Sequence, residues 1–283
     1  MRICCFDDNR VGLVRGLDVH DITEVLQQLP QFRYPLPDHD PLIAALDELR
    51  PTMESLADRA TPVPLSSVKL LAPVASPRKI VAAPVNYRKH LDEALADPAI
   101  HFDTNIAPIQ KVGLFLKATS SLIGPSQDVV LRDPTRRNDH EIELVAVIGR
   151  RADRVSREDA LAHVAGYAIG LDMTVRGTQE RSMRKSIDTY TVLGPALVTT
   201  DEVGDPRELD LNLWVNGELR QSANTRDLVL SIADLIAWAS SYYTLMPGDL
   251  LFTGTPEGVA EVRAGDHITA EISGIGTLEV SVR

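Results

Sequence analysis

The chain has 283 residues and a formal net charge of -11. Hydrophobic residues make up 44% of it and charged residues 24%, an ordinary balance for a globular protein with a substantial core. The acidic excess argues against a nucleic-acid partner, because phosphate binding depends on clustered Lys and Arg. It would also repel a small anionic substrate, so a site for one needs local positive charge or a metal ion.

The cysteines and the apolar runs indicate a cytoplasmic protein. Cys4 and Cys5 are adjacent in a predicted strand, where successive side chains point to opposite faces, so we expect two apolar residues and no disulfide between them. Asp7, Asp8 and Arg10 interrupt the opening apolar stretch, which predicts no signal peptide. No run of about 18 apolar residues occurs, so we expect no membrane partner.

The first 70 residues predict a small N-terminal domain. Residues 1–20 alternate like two strands around a glycine-containing turn, and residues 22–29 and 42–49 look helical. Four prolines then punctuate a short span: Pro62, Pro64, Pro73 and Pro77. We place the domain boundary near residue 70, which leaves residues 71–283 as the catalytic domain.

From Lys79 onward, short strands dominate the pattern. Strands are predicted at residues 80–85, 112–117, 142–148, 165–171, 196–199, 209–215, 249–253 and 267–272, and helices at residues 157–164 and 231–243. Asn216-Gly217 is typical of a tight hairpin, and Ser231 with Asp234 is typical of a helix cap. Without regular β-α-β alternation, the pattern favours an α+β fold of mixed strands over a Rossmann fold or a TIM barrel.

Three acidic residues at the mouths of two apolar strands point to a metal site. Glu141 and Glu143 are two residues apart, so on a strand they share a face, and Asp172 ends the second strand. Like charges beside a buried strand repel each other, and a bound cation would remove that cost. Carboxylates without cysteine suit Mg²⁺ or Mn²⁺. The alternative is a Glu-x-Glu pair on a solvated edge. His140 faces the other way and is interpreted as a bystander.

A second candidate group follows the strand at residues 80–85. His90 and Glu93 are three residues apart and would share one face of a helical turn. A carboxylate that orients one imidazole nitrogen leaves the other free as a base, although a solvated helix start would show the same spacing. Residues 91–110 contain Pro98 and Pro108 and are interpreted as a mobile lid, or else as an ordinary surface loop.

Positive charge and a glycine loop complete the predicted pocket. The stretch after the second acidic strand is rich in cations: Arg176, Arg181, Arg184 and Lys185. It is either a positive patch beside the metal or a solvated charge run. Gln179 and Lys185 could donate hydrogen bonds to a developing oxyanion. Thr255 lies in a glycine-flanked turn, where its hydroxyl and free backbone amides could hold a carboxylate.

Taken together, these motifs resemble those of the fumarylacetoacetate hydrolase family. The matching blocks lie in the family's order over roughly residues 78–283: Asn86-Tyr87-Arg88 with His90 and Glu93, His140-Glu141-Ile142-Glu143-Leu144, Leu171-Asp172-Met173-Thr174, Lys185-Ser186-Ile187-Asp188-Thr189 with Gly194-Pro195, Val215-Asn216-Gly217-Glu218 with Gln221, and Thr253-Gly254-Thr255-Pro256-Glu257-Gly258-Val259. The chain departs from the family pattern at Gly177, where many members carry Asp, at Pro84-Val85 in place of Gly, and at Lys117-Ala118 in place of Lys-Pro.

The resemblance implies a fold, a cofactor and a set of roles. The fold would be a mixed β-strand sandwich or roll barrel with a small N-terminal domain, usually dimeric. Glu141, Glu143 and Asp172 would hold Mg²⁺ or Mn²⁺. The remaining roles fall into two groups: catalytic residues His90, Glu93, Lys185 and Gln179, and substrate-binding residues Tyr87, Arg88 and Thr255.

These expectations predict a metal-dependent hydrolase that cleaves a C–C bond in a small 2,4-diketo acid, such as an acylpyruvate or fumarylpyruvate. His90, oriented by Glu93, would activate the attacking water. The first alternative is a decarboxylase or keto–enol isomerase of an oxaloacetate-like acid on the same metal site. A non-catalytic keto-acid binder has no use for the His–Glu pair, and a metal-dependent nuclease conflicts with the net charge of -11.

Overall fold

The computed structural model describes residues 1–96, Ile100 and residues 109–283, and short strands dominate it. The strands are β1 (Arg2–Phe6), β2 (Arg10–Arg15), β3 (Asp18–Asp21), β4 (Val63–Pro64), β5 (Leu70–Leu71), β6 (Ile80–Ala82), β7 (Phe115–Lys117), β8 (Leu122–Ile123), β9 (Asn138–His140), β10 (Ile142–Ile148), β11 (Val164–Asp172), β12 (Thr174–Val175), β13 (Thr191–Thr199), β14 (Asp210–Val215), β15 (Glu218–Asn224), β16 (Leu250–Phe252), β17 (Ala260–Glu261), β18 (His267–Ile272) and β19 (Gly276–Ser281). The helices are α1 (Pro41–Ala44), α2 (Leu46–Arg59), α3 (Arg88–Ala96), α4 (Ile109–Val112), α5 (Arg181–Lys185), α6 (Thr200–Val203) and α7 (Ile232–Tyr242).

The strands form one large mixed sheet and two small sheets. The large sheet runs in the order β4-β3-β2-β1-β13-β11-β10-β16-β6-β7, with β5 paired to β1 and β8 paired to β13. The small sheets run β12-β9-β17 and β15-β14-β18-β19. Most neighbouring strands are antiparallel, whereas β13 with β8 and β16 with β6 are parallel. This arrangement of mixed strands with few helices confirms the predicted α+β class.

Strand β10 is buried on both faces at the middle of the large sheet. Leu144 and Ala146 on one face belong to the core that includes β14, β18 and α7, whereas Val145 and Val147 on the other belong to the core under α1 and α2. Because side chains alternate along a strand, Glu143 continues the second face beyond Val145. The carboxylate therefore sits where that apolar core ends.

The N-terminal strands join the same sheet as the rest of the chain. β1 pairs antiparallel with β13, with Arg2 opposite Val198 and Ile3 opposite Leu197. β5 pairs with Cys5 and Phe6 farther along the same edge of β1, and β2 takes the other edge. The proposed division near residue 70 stays a prediction, and the strands on its two sides are hydrogen-bonded to each other.

Several local predictions are confirmed. β10 and β18 have the predicted bounds. The hairpin between β14 and β15 turns at Asn216 and Gly217, both at positive φ. Ser231 and Asp234 form the expected capping box at the start of α7.

Two other predictions are wrong, and one lies outside the described residues. The helix predicted at residues 157–164 is a single 3-10 turn (Ala160–His163), because Val164 already pairs with Ile148 in the sheet. The strand predicted at residues 112–117 is reduced to β7, since Gly113 at φ +82 separates it from α4. Most of the predicted lid, residues 97–99 and 101–108, lies outside the described residues.

Among the described residues, no helix has the length and apolar character to cross a membrane.

The first testable prediction concerns Cys4 and Cys5, which are free and buried. Burial raises the pKa of the Cys4 thiol to about 12 and that of Cys5 to about 11. Because the thiolate is the reactive form, less than about one Cys5 in 10³ is reactive at pH 8. We expect almost no native labelling by iodoacetamide at this pH, and labelling of both residues in denaturant, as read by mass spectrometry. Fast labelling of the folded protein would contradict the packing of β1.

Candidate active site

Three carboxylates meet where β10 begins and β11 ends. The register that places Ile142 opposite Leu171 also lets the Asp172 amide donate to the Glu141 carbonyl at 2.9 Å. One oxygen from each of Glu141, Glu143 and Asp172 lies within 4.8 Å of the others, and all three residues are buried. An all-oxygen donor set of this spacing fits one hard divalent ion with ligands at roughly 2.0–2.6 Å.

Lys185 bridges two of these carboxylates. Its Nζ donates to Glu141 at 2.6 Å, to Asp172 at 2.7 Å and to the Thr174 hydroxyl at 2.6 Å. Three acceptors satisfy the three N–H groups of the ammonium, which makes burial of this charge tolerable. The last turn of α5 thereby fixes Lys185 against the ends of both strands.

Two further cations hold the remaining oxygens of the same carboxylates. Arg176 donates to the second oxygen of Glu141 at 2.9 Å and to Asp139 at 2.7 Å. Lys117, at the end of β7, forms a buried ion pair with the second oxygen of Asp172. Although burial raises the pKa of Glu141, the charges of Lys185 and Arg176 outweigh it and hold that pKa well below its ordinary value.

Glu143 differs from its two neighbours because no cation contacts it among the described residues. One of its oxygens accepts a hydrogen bond from the Gly254 amide at 2.7 Å. Burial, followed by the negative charge of Asp172, raises the pKa of Glu143 well above its ordinary value. A divalent ion at the three carboxylates would supply the missing positive charge, so the residues present fit the predicted cofactor.

His90 and Glu93 form a pair on α3. Nδ1 of His90 lies 2.9 Å from Oε2 of Glu93. An ionised carboxylate only accepts hydrogen bonds, so Nδ1 donates and the lone pair of Nε2 remains available as a base. The other oxygen of Glu93 accepts from the Gly258 amide at 2.9 Å, and His90 lines the same cavity as the three carboxylates.

The loop after β16 connects this pair to the carboxylates. Gly254 and Gly258 have φ values of +102 and +92, a conformation that glycine adopts without steric cost. These backbone turns direct one amide toward Glu143 and the other toward Glu93. Thr255 lies between the two glycines and lines the cavity, where its oxygen accepts from the Gln221 side chain at 2.9 Å.

The cavity contains six of the ten predicted site residues: His90, Glu141, Glu143, Asp172, Lys185 and Thr255, together with Arg176, Arg181 and Arg184. Its volume is about 20 Å³, so side chains must move before a keto acid can enter. A larger cavity of about 420 Å³ lies near Cys5 and Asp40. There the Asp40 carboxylate is occupied in capping α1, and no second acid lines the wall, so the chemistry points to the small cavity.

The other predicted residues lie outside the cavity wall. Gln179 is exposed, and its side-chain oxygen accepts from Arg136 at 2.8 Å. Tyr87 is buried, and its hydroxyl has no partner in the part of the chain that the structure describes. Arg88 is exposed at the start of α3. Their catalytic and substrate-binding roles, as well as the roles of the residues inside the cavity, stay predictions.

Two features of the site were missed in the sequence. Lys117 is the last residue of β7, and a buried lysine at the end of a strand is a signal that it pairs with an acid inside. Gly177 makes room for Arg136, because a Cβ at this position would lie 1.8 Å from the Arg136 guanidinium. The departure at Gly177 therefore lets an arginine occupy the space next to Gln179.

Comparison with known proteins identifies the family. The profile of the fumarylacetoacetate (FAA) hydrolase C-terminal domain matches residues 79–283. The chain belongs to the fumarylacetoacetate hydrolase family. This confirms both the predicted family and, within the α+β class, the predicted type of fold.

Individual members of the family resemble most or all of the chain. The maleylpyruvate hydrolase of Aquipseudomonas alcaligenes is 54% identical over 100% of the chain and 99% of its own length. The human mitochondrial oxaloacetate tautomerase FAHD2A is 38% identical over 79% of the chain and 72% of its own length. The crystal structure of the maleylpyruvate hydrolase from Sphingobium sp. SYK-6 with manganese(II) and pyruvate matches this chain with a TM-score of 0.85 and 43% sequence identity. The match covers 100% of this chain and 98% of the Sphingobium chain.

We expect Glu143→Gln to abolish tight binding of Mn²⁺. The amide keeps the shape of the side chain but loses the negative charge. Mutation of a residue that only hydrogen-bonds to a metal ligand typically lowers metal affinity by about 10–100-fold, so loss of a ligand itself should lower it by more than about 100-fold. Isothermal titration would measure this. Glu279→Gln, on an exposed side chain of β19, is the matched control. A folded Glu143→Gln variant that binds Mn²⁺ with the parental affinity would show that Glu143 is not a metal ligand.

Gly258→Ala should destabilise the protein and weaken the His90–Glu93 pair. The added Cβ would lie 2.0 Å from the Arg220 carbonyl oxygen, and the positive φ alone costs about 1–3 kcal/mol for a residue with a side chain. Gly265→Ala is the control, since Gly265 has a similar φ of +99 and no atom near the added Cβ. Urea denaturation should show a larger loss for Gly258→Ala. Equal losses would mean that the loop tolerates the contact.

Proposed function

We propose that the protein is a divalent-metal-dependent hydrolase that cleaves the C–C bond of an acylpyruvate, with maleylpyruvate as the first substrate to test. The observation that carries this proposal is the cavity that His90 lines together with the three buried carboxylates, while Glu93 holds the other side of the imidazole. The whole-length identity of 54% to a maleylpyruvate hydrolase supports the same reaction, and the manganese(II) and pyruvate in the Sphingobium structure support the cofactor and the keto-acid class.

The carboxylates of Glu141, Glu143 and Asp172 would hold Mg²⁺ or Mn²⁺. When bound, such an ion supplies Lewis-acid polarisation of the carboxylate and 2-keto group of the substrate. Lys185 keeps Glu141 and Asp172 oriented toward the cavity through its contacts at 2.6 and 2.7 Å. Thr255 lies in the cavity wall and retains its hydroxyl proton for a substrate carboxylate, because its oxygen is the acceptor for Gln221.

His90 provides the base for hydrolysis. Its Nε2 takes a proton from water as the water oxygen bonds to the 4-keto carbon of the substrate, and Glu93 stabilises the imidazolium through Nδ1. To donate to the oxyanion that forms at that carbon, Lys185 would release the Thr174 hydroxyl, which is the one uncharged group among its three acceptors. The bond between carbons 3 and 4 then breaks, and carbon 3 takes up a proton. Maleylpyruvate and water would yield pyruvate and maleate.

Tautomerisation is the main rival, because the same cavity could stabilise an enolate without an attacking water. The human relative named for this activity is less similar, at 38% identity over 79% of the chain. The identity of 54% to the hydrolase extends over the whole chain, including the N-terminal strands. The His90–Glu93 pair also has a direct use in hydrolysis. We therefore place hydrolysis first.

The assembly and location of the enzyme also belong to the proposal. We expect a homodimer in the cytoplasm, acting on a small anionic keto acid. Support for the dimer comes from the family resemblance and support for the location from the sequence. Light scattering of the purified chain at several concentrations would test the dimer directly, and a monomer at all concentrations would overturn it.

His90→Ala should lower the turnover of maleylpyruvate by roughly 10²–10⁴-fold, which is the usual contribution of a general base. Glu93→Gln should cause a smaller loss, because the imidazole remains but is less firmly oriented. The affinity for Mn²⁺ should stay at the parental value in both variants, since neither residue is assigned as a ligand. Loss of substrate absorbance and isothermal titration provide the two measurements.

The same variants separate hydrolysis from tautomerisation. If the parent protein interconverts the keto and enol forms of oxaloacetate but does not hydrolyse maleylpyruvate, the tautomerase interpretation replaces ours. If His90→Ala hydrolyses maleylpyruvate at the parental rate, then His90 is not the base. His163→Ala, which changes a histidine on the 3-10 turn before β11 and outside the cavity wall, is the control.

A further inference from the structure

Two arginines in the wall of the active-site cavity have no carboxylate partner among the residues that the structure describes. Arg181 and Arg184 lie on α5 and line the cavity with the three carboxylates. Within the described part of the chain, the Arg181 guanidinium makes no hydrogen bond or ion pair, and it lies 5.6 Å from the centroid of the Phe115 ring. Arg184 donates to the Gln179 carbonyl at 2.8 Å, which orients its guanidinium without neutralising the charge.

Two of the three carboxylates of the metal site are already paired with other cations, and the third, Glu143, forms no ion pair with either arginine among the described residues. Glu141 is already paired with Arg176 and Lys185, and Asp172 is paired with Lys117 and Lys185. A divalent ion at the site would add two more positive charges. In a chain whose net charge is -11, two unpaired guanidinium groups at one cavity wall create a local attraction for an anion.

The cavity is so small that a ligand can enter only if a side chain of its wall moves, and Arg181 is free to do so. A volume of about 20 Å³ has room for little more than a water molecule. Arg181 is half-buried and has no hydrogen bond or ion pair within the described residues, so turning it aside breaks no polar contact there and gives up its cation–π contact with Phe115. An incoming carboxylate could therefore draw the guanidinium out of the cavity centre at little cost.

We propose that Arg181, with Arg184 beside it, binds the distal carboxylate of a dicarboxylic acylpyruvate and so selects dicarboxylates over monocarboxylates. The inference rests on the proposed function. Maleylpyruvate has one carboxylate next to its 2-keto group and a second at the opposite end, whereas acetylpyruvate has only the first. The planar guanidinium fork can bind a carboxylate through two parallel hydrogen bonds.

Arg181→Met tests this selection without removing a hydrogen bond from the protein. We would measure kcat/KM for maleylpyruvate and for acetylpyruvate with Mn²⁺-loaded enzyme. The ratio of the two constants should fall by about 10²-fold, as expected for the loss of a charge-assisted pair. Arg181→Lys keeps the charge but not the fork, so the ratio should fall by a smaller factor.

A control and a binding measurement make the result specific. Arg207→Met removes an equal charge from an exposed residue paired with Asp205, and it should leave the ratio of the two constants unchanged. As a product inhibitor, maleate should bind Arg181→Met about 10²-fold more weakly than it binds the parent, while inhibition by pyruvate should change much less.

The outcomes distinguish a failure of the distal carboxylate subsite from a failure of the proposed hydrolase function. If the parent hydrolyses both substrates and Arg181→Met loses both activities by the same factor, the distal subsite is wrong and the hydrolase assignment stands. An unchanged ratio would also overturn the subsite. If the parent hydrolyses neither substrate, the proposed function is wrong and the subsite falls with it.

Discussion

The burial of three like charges at the ends of β10 and β11 is the constraint on which the rest of the site depends. Glu141, Glu143 and Asp172 are held within 4.8 Å of one another by the pairing of two strands that are apolar on both faces. Such a cluster is stable only if cations surround it. Lys117 on β7 and Lys185 on α5 both pair with Asp172 to meet this need, so the ends of β7 and α5 are both fixed by the acids.

The same electrostatic need explains the geometry of the loop after β16. Glu143 has a backbone amide instead of a cation as its partner, and that amide is available because Gly254 adopts a positive φ. Four residues later, Gly258 repeats the arrangement for Glu93. One short loop therefore sets the distance between the metal site and the base. A change in this loop would alter both functions together, although neither glycine has a side chain in the site.

The sequence predicted the parts of the site that follow from strand periodicity and local spacing. Glu141 and Glu143 are two residues apart on a strand, and His90 and Glu93 are three apart on a helix, so each pair could be placed without knowledge of the tertiary fold. Gln179 could not be placed in this way, because its position depends on Arg136, which is 43 residues away and fills the space beside Gly177. The pairing of β1 with β13 was hidden for the same reason, since contacts between distant segments leave no local pattern.

The residues that hold the three carboxylates differ from the two arginines of the cavity wall, so the reaction and the choice of substrate can change independently within one family. A divalent ion held by the three carboxylates would stabilise negative charge on a keto acid, which hydrolysis and tautomerisation both require. In the proposed mechanism, the His90–Glu93 pair adds the capacity to activate water. Arg181 and Arg184 lie on the helix that also carries Lys185, yet they do not contact the carboxylates in the described structure. Substitutions at these two positions can therefore change which anion enters while Lys185 continues to hold the acids, so that substrate range and bond-breaking chemistry vary independently on one scaffold.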